Sequence, residues 1–169
     1  MSMSMYGASA PILIRMLGNV EQWLVKAQAH ADALKFDSAN YLTQRLAPDM
    51  LPFASQVRIA SDIARLTMVR LGDAEFPRYV DDETTLAALS ERVRKSIAFV
   101  QSFDAARIDG TDAKAIVLPQ RIGDPLHFTG VTFLQFWALP NVFFHTTMTY
   151  ALLRQAGVEL GKADYLGQA

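Results

Sequence analysis

The sequence predicts an all-α protein: a bundle of four long helices with one short β-hairpin-like insertion before the last of them. Three observations lead there. Four segments of about twenty residues each carry apolar side chains at steps of three and four, the spacing that builds one sticky face on a helix. Capping residues, prolines and glycines punctuate the chain between those segments. One stretch, 104–129, loses the helical period and takes up short β-type runs instead.

The first helix spans about Met5–Leu34, with Ile12 or Leu13, Met16, Leu17, Val20, Trp23, Leu24, Ala27 and Ala31 on its apolar face. Pro11 belongs in a first turn, where its missing N–H costs little, so the strong part begins near Ser9. Asp37 and Ser38 are placed to cap a short helical turn reaching about Leu46. Ala47-Pro48-Asp49 reads as a stop followed by a new cap, with Asp49 as N-cap and Pro52 in the first turn of a second helix. Its face is Phe53, Val57, Ala60, Ile63, Ala64, Met68 and Leu71, and Gly72 follows as the terminating residue.

A polar linker containing Pro77 leads to Asp81-Asp82-Glu83, an acidic run suited to a helix N-terminus, and to a third helix over Thr84–Phe103. Its apolar positions are Leu86, Leu89, Val93, Ile97 and Val100. Ala115–Leu118 and Leu126–Thr129 then flank Pro119, Gly123 and Pro125 as the two arms of a small hairpin. The last helix, Val131–Gln155, is the most apolar, with Pro140 either kinking it or opening its main segment and Gly157 closing it. Tyr165 and Leu166 in the tail are expected to pack back on the body. The long connections allow crossovers, and the whole chain, 1–169, is expected to form a single domain.

Composition narrows the function. The formal net charge of −1 gives no basic field for nucleic acid. There is no cysteine, which removes disulfides, thiolate metal sites and a thiol nucleophile. The start of the chain, Met1-Ser-Met-Ser-Met5, lacks the charged and apolar regions of a signal peptide, and the longest apolar run, 130–144, is interrupted by Gln135, Pro140 and Asn141. A cytoplasmic protein with no membrane or nucleic-acid partner is the expectation. Charged residues make up 20% of the chain, which suggests apolar surface hidden in a homodimer interface.

One polar stripe stands out. Asn141, His145 and Thr149 are four residues apart on an otherwise apolar helix, so they share a face that should look into the bundle or an interface. A buried imidazole needs a partner, and Gln56, beside the apolar face of the second helix, can project toward it. A helical i, i+4 pair can also place two ligands on one ion, although an amide oxygen in place of an imidazole is a poor ligand for zinc or nickel. Asp62 lies among Arg58 and Arg65 and reads as a solvent-side ion-pair partner. His30 reads as a surface residue and His127 as a solvated strand residue. Met1, Met3 and Met5 make no thioether site. Trp23 with Phe133, Phe136, Trp137, Phe143 and Phe144 could form a ligand cage, but serves core or dimer packing in the commoner arrangement.

The segments Leu46-Ala-Pro-Asp-Met-Leu-Pro52, Gln56-Val57, Asp81-Asp-Glu-Thr84, Leu139-Pro-Asn-Val-Phe-Phe-His145, Gly157–Lys162 and Tyr165-Leu166-Gly167 resemble an uncharacterised bacterial domain family within the DinB/YfiT-like superfamily of four-helix bundles. The resemblance implies a DinB-type bundle, often homodimeric. In better-known members it holds a divalent metal through one histidine of the second helix and an H-x-x-x-H on the fourth, and some members use thiol cofactors in transferase or isomerase reactions. Carried over, the second histidine of that motif falls on His145 and the first on Asn141. The second-helix histidine has no counterpart between Pro48 and Gly72, Gln56 being an approximate stand-in.

Three functions remain open from sequence. One is a bundle with a degenerate polar pocket around His145 and Asn141, in which His145 acts as general base or surviving ligand for a small-molecule ligand. Another is a divalent-metal-dependent transferase-type enzyme. The third is a non-enzymatic binding or stress-related protein.

Overall fold

The structure is a computed structural model that describes residues 3–167. Helices α1 (Ala10–Leu34), α2 (Phe53–Gly72) and α3 (Leu86–Gln101) form where the periodicity places them. After them come α4 (Ala105–Ile108), strands β1 (Ala115–Leu118) and β2 (Leu126–Thr129), α5 (Gly130–Phe133), α6 (Leu139–Gln155) and α7 (Lys162–Leu166). The hairpin is a two-stranded antiparallel pair with Ala115 opposite Thr129 and Leu118 opposite Leu126.

Several boundaries differ from the sequence reading, each for a local reason. The turn after α1 is a single 3₁₀ turn, Ser38–Tyr41, capped by Asp37 as expected but not extended to Leu46. Asp49 does not cap α2. The N–H groups of Phe53 and Ala54 are taken by the loop carbonyls of Gln44 and Leu42, at 2.9 and 3.1 Å, so the first turn needs no capping side chain. At the other end Gly72 is the last helical residue and Asp73 takes the left-handed conformation at φ 49°. Glycine is needed at 72 for room, because a Cβ there would lie 2.8 Å from the Phe103 ring. The acidic run 81–83 stands ahead of α3, whose cap is Thr85, accepting from the Ala88 N–H at 3.1 Å.

Pro140 opens the main segment of the last helix, standing as the second residue of α6. Residues Leu134–Ala138 form one wide π turn between α5 and α6, in which the Leu139 N–H bonds the Leu134 carbonyl five residues back. Proline lacks the N–H that would bond residue 136, and its ring crowds that carbonyl; the widened turn absorbs both defects and lets the helix run on. The start of this helix passes so close to the preceding loop that a Cβ at Gly130 would sit 1.9 Å from the Thr111 carbonyl oxygen.

The helix order follows from contacts along the chain. Arg94 of α3 meets Glu21 of α1, so these two are antiparallel. Gln56 of α2 meets His145 of α6 near one end of the bundle. Arg92 meets Asp62, and Phe103 packs at Gly72, so α2 and α3 run parallel. Trp23 meets Tyr150 and Gly157 abuts His30, so α1 and α6 also run parallel. A parallel neighbour requires the chain to return before the second helix can start. Residues 73–85 do so as a crossover strap that climbs α2, with the Pro77 carbonyl at Arg65 and Glu83 at Arg58. The seam between α1 and α6 is covered in turn by α7.

The core lies between the four long helices, with Leu13, Leu17, Val20 and Leu24 of α1, Phe53, Val57, Ala60 and Met68 of α2, Leu89 and Val93 of α3, and Val142, Leu152 and Leu153 of α6 all buried. No described helix is long and apolar enough to cross a membrane.

Candidate functional site

The stripe on α6 is where the sequence put it, and one long-range bond gives it a defined chemistry. Gln56, only 2% exposed, donates from Nε2 to the Leu51 carbonyl at 2.9 Å. A carbonyl can only accept, so the amide orientation is fixed and Oε1 is the atom that faces His145 Nδ1, at 2.7 Å. His145 must then donate from Nδ1. Nε2 is left as the bare lone-pair nitrogen, with no protein partner among the described residues. Burial pushes the His145 imidazole below its usual value, so the ring is neutral near pH 7. The Phe144 ring stands edge-on to it, with centroids 5.2 Å apart.

The other two members of the stripe are turned back on their own helix. Thr149, fully buried, donates to the His145 carbonyl at 2.9 Å. Asn141 donates from Nδ2 to the Trp137 carbonyl at 2.6 Å, inside the widened turn where the backbone ladder is disturbed. The fold therefore brings Gln56 and His145 together, leaves Asn141 one turn away with its amide oxygen unspent among the described residues, and uses Thr149 as helix reinforcement.

This donor set does not suit the divalent metal of the three-histidine bundles. Among the described residues no three His, Asp or Glu side chains converge on a point that could hold an ion. The stripe itself offers one imidazole nitrogen, and the Gln56 oxygen that replaces a second is already occupied by the Nδ1–H of His145. One imidazole supported by neutral amides is a weak set for zinc or nickel.

Elsewhere the structure revises the sequence reading. His30 is not a surface residue: it is half-buried, with Nδ1 2.6 Å from the hydroxyl of buried Tyr41 and its ring edge-on to Phe36. Burial holds the Tyr41 hydroxyl above its usual range and hence protonated. His127 is exposed on β2, as a solvated strand residue should be. Met5 is buried, Met3 is exposed, and Met1 lies outside the described residues. Trp23 joins no phenylalanine cage. It stacks on Tyr165 at 5.8 Å and meets the edge of Tyr150, while its indole N–H donates to the Asp164 carbonyl. Tyr165 thus packs back as expected, whereas Leu166 stays exposed.

Asp62 is more than a surface partner, because the arginines it holds are in the interior. Arg65 is fully buried, donating to Asp62 and to the Pro77 carbonyl, with its guanidinium 3.7 Å above the Tyr79 ring. Arg92, also buried, reaches Asp62, Asp81 and Glu83 at 2.8–2.9 Å. Burial alone would raise the Glu83 carboxyl; hydrogen bonds from Arg92 and Arg58 outweigh that and hold it below its usual range. The signal for Arg65 was present in the sequence: it sits next to Ala64 on the apolar side of α2 and four residues from Ser61, which is also fully buried.

Among the clefts of the described surface, five stand out. The one between α1 and residues 159–164, of about 710 Å³, is lined by Lys26, His30, Glu159 and Asp164. A second, of about 800 Å³, lies on the other side of the Lys26–Asp164 ion pair, against Arg15, Asn19 and Trp23. None of the five is lined by Gln56, Asn141, His145 or Thr149.

Two parallel helix pairs, a crossover strap between α2 and α3, and a hairpin ahead of the last helix define a DinB-type four-helix bundle. A crystal structure described as a DinB family member protein from Shewanella denitrificans superposes with a TM-score of 0.87, at 36% identity over 97% of this chain and 92% of that one. The model of the family called Domain of unknown function (DUF1993) matches residues 5–166, and the chain belongs to that family. No curated protein matches the sequence.

Proposed function

We propose that this protein is a DinB-like bundle, one domain over 1–169, whose working group is the neutral imidazole of His145 acting without a bound metal. The observation that carries the reading is the chain Leu51 carbonyl–Gln56–His145, which fixes the proton on Nδ1 and presents Nε2 as a base or hydrogen-bond acceptor. A ligand suited to it is a small molecule with an acidic or hydrogen-bonding O–H, N–H or S–H group. The unspent amide oxygen of Asn141 and the rings of Phe144 and Trp137 lie along the same stretch of helix to orient it.

NMR of the protein labelled at histidine tests this. A neutral Nδ1–H tautomer with a free Nε2 gives a distinct pair of ring nitrogen shifts, and the Gln56→Leu variant should mix the tautomers. A wild-type spectrum showing Nε2 protonated would overturn the reading. Metal analysis of untagged protein after incubation with zinc, nickel or manganese should find no stoichiometric ion held in a His145-dependent way. A second reading, a purely structural hydrogen bond, is favoured by the depth of Gln56. It predicts that His145→Ala costs several kcal/mol, where a working pocket residue would be removable for about 1–2 kcal/mol.

A further inference from the structure

His30 and Tyr41 form a second hydrogen-bonded pair, which the His145 site does not use. Tyr41 is 1% exposed, and its hydroxyl meets one polar atom among the described residues, His30 Nδ1, at 2.6 Å. A buried O–H left without an acceptor costs more than a spare lone pair. The phenol must therefore donate, Nδ1 accepts, and the ring proton stands on Nε2. This is the reverse of the His145 tautomer. Phe36, edge-on with centroids 5.9 Å apart, holds the ring from the side. The Nε2 edge faces Gly157, where an added Cβ would come to 3.5 Å, and no acceptor meets Nε2 among the described residues. Position 157 is a glycine at φ 90° because it closes α6, and its bare Cα also leaves the imidazole edge open.

That edge lines the cleft of about 710 Å³ between α1 and residues 159–164, a volume within the range of small-molecule sites. Lys26, one turn before His30 on α1, lines the same wall. Its ammonium commits one proton to Asp164 Oδ1 at 2.6 Å and one to the Glu159 carbonyl at 3.4 Å, and keeps a third. Asp164 is fully engaged, since its Oδ2 takes the Gly161 N–H at 2.7 Å. Glu159 is exposed, and its carboxylate has no ion-pair partner among the described residues. The cleft thus offers two open donors on one wall and one open carboxylate opposite, with Ala29 and buried Leu160 as its apolar lining. Lys26 Nζ already touches the Glu159 backbone, so that carboxylate stands only a two-methylene side chain away from the donors.

We propose that this cleft binds a small zwitterion of the α-amino acid class, its carboxylate on His30 Nε2–H and Lys26 Nζ and its ammonium on Glu159. The adjacent opposite charges of such a ligand match the adjacent opposite charges of the lining. A simple anion would meet Glu159 head-on, and a simple amine would leave both donors unanswered. The site shares no residue with the His145 stripe, from which it is separated by about 15 Å along α6 at 1.5 Å per residue.

The test titrates the full chain with L-leucine, with 4-methylpentanoate (the same skeleton without the ammonium) and with 3-methylbutylamine (without the carboxylate), read by the histidine ring shifts near neutral pH. Before ligand is added, His30 should show the Nε2–H pattern of ring nitrogens where His145 shows the Nδ1–H pattern. Leucine should shift the His30 ring resonances saturably, with a Kd of about 1 mM or tighter, and leave those of His145 in place. Each single-charge analogue should bind about tenfold more weakly or worse, the loss of one charge-assisted contact. Glu159→Gln, at an exposed position, keeps the fold and should weaken leucine by about tenfold without weakening 4-methylpentanoate. The double variant His30→Phe with Tyr41→Phe removes the pair without stranding either partner, and should abolish leucine binding at unchanged helical circular dichroism. A His30 proton found on Nδ1 overturns the donor assignment and the proposal with it. No saturable shift at His30 well above millimolar leucine, or a shift at His145 alone, overturns the site. Equal binding of leucine and 4-methylpentanoate, or leucine binding unchanged in Glu159→Gln, overturns the zwitterion as its ligand.

Discussion

Coupling between Gln56 and His145 can be measured directly by a double-mutant cycle in urea. Gln56→Leu keeps the volume of a side chain that is 2% exposed but removes both of its hydrogen bonds. The Leu51 carbonyl belongs to a half-exposed loop residue and can turn to water, so its loss is cheap. The Nδ1–H of His145 belongs to a half-buried residue and has no second partner among the described residues to move to. One orphaned, partly buried donor costs about 1–2 kcal/mol, seen as a lower urea midpoint at unchanged slope. His145→Leu should cost a similar amount by stranding the Gln56 carbonyl oxygen. If the bond is as drawn, the double variant is less destabilised than the sum of the single ones, by about 1 kcal/mol. Additivity within about 0.3 kcal/mol would refute the bond and the tautomer argument built on it. The pH dependence has a defined sign. The folded imidazole titrates below its unfolded value of about 6.5, so the unfolded chain takes up the proton first. Stability from this group is complete above that value and is lost as pH falls through it toward the folded value. The loss should disappear in His145→Leu.

Further predictions concern the strap and the glycines. Glu83→Gln removes a carboxylate held between Arg58 and Arg92 and leaves two cations under-compensated, so it should cost about 2–4 kcal/mol in chemical unfolding. Because the Glu83 carboxyl sits below its usual range, its contribution is present above the unfolded carboxylate value, about 4.3, and drains away as pH falls toward the folded value; the acid transition of the Gln variant should be correspondingly flatter. Gly130→Ala forces a methyl onto the Thr111 carbonyl and should cost about 3 kcal/mol or prevent folding. Gly18→Ala, inside α1 with nothing within 4 Å of the added carbon, should instead stabilise by about 0.5–1 kcal/mol, a rise of a few degrees in Tm.

The parts of this molecule that were legible in the sequence are those that periodicity controls. The helical steps of Leu13–Ala31, Phe53–Leu71 and Leu86–Val100 placed the bodies of three helices, with two starts off by three to five residues, and the switch to Ala115–Leu118 and Leu126–Thr129 placed the hairpin. Terminal residues were less legible, because Asp49 looked like a cap while the donors it would have served are taken by the carbonyls of Leu42 and Gln44, which only the folded loop brings near. The same holds for the site. His145 could be singled out because a polar stripe on an apolar helix is anomalous, and Gln56 because it lay beside a core face. The pairing that reserves Nε2 depends on a backbone carbonyl at Leu51, which no side-chain pattern announces. His30 and Arg65 were misjudged or overlooked for one reason: each is a polar residue whose burial is set by a partner remote in sequence, Tyr41 in one case and the strap residue Tyr79 in the other.

The crossover strap also bears on how quickly this chain can fold. In an up-and-down bundle, consecutive helices form hairpins, so a nucleus can grow from neighbours in sequence. Here α1 packs on α3 and α6, α2 packs on α3 and α6, and α1 barely touches α2. The one pair of consecutive long helices that does pack, α2 with α3, is parallel and meets only after residues 73–85 have been laid along its length. Every antiparallel contact in the bundle therefore closes a loop at least one helix long, and that entropy is spent before the contact can return it. Such a chain should refold more slowly than a helical hairpin bundle of equal stability. Neutralising Arg65 or Arg92, which fasten the strap, should slow the folding limb if the strap is laid early, and leave that limb unchanged while hastening unfolding if it is laid last.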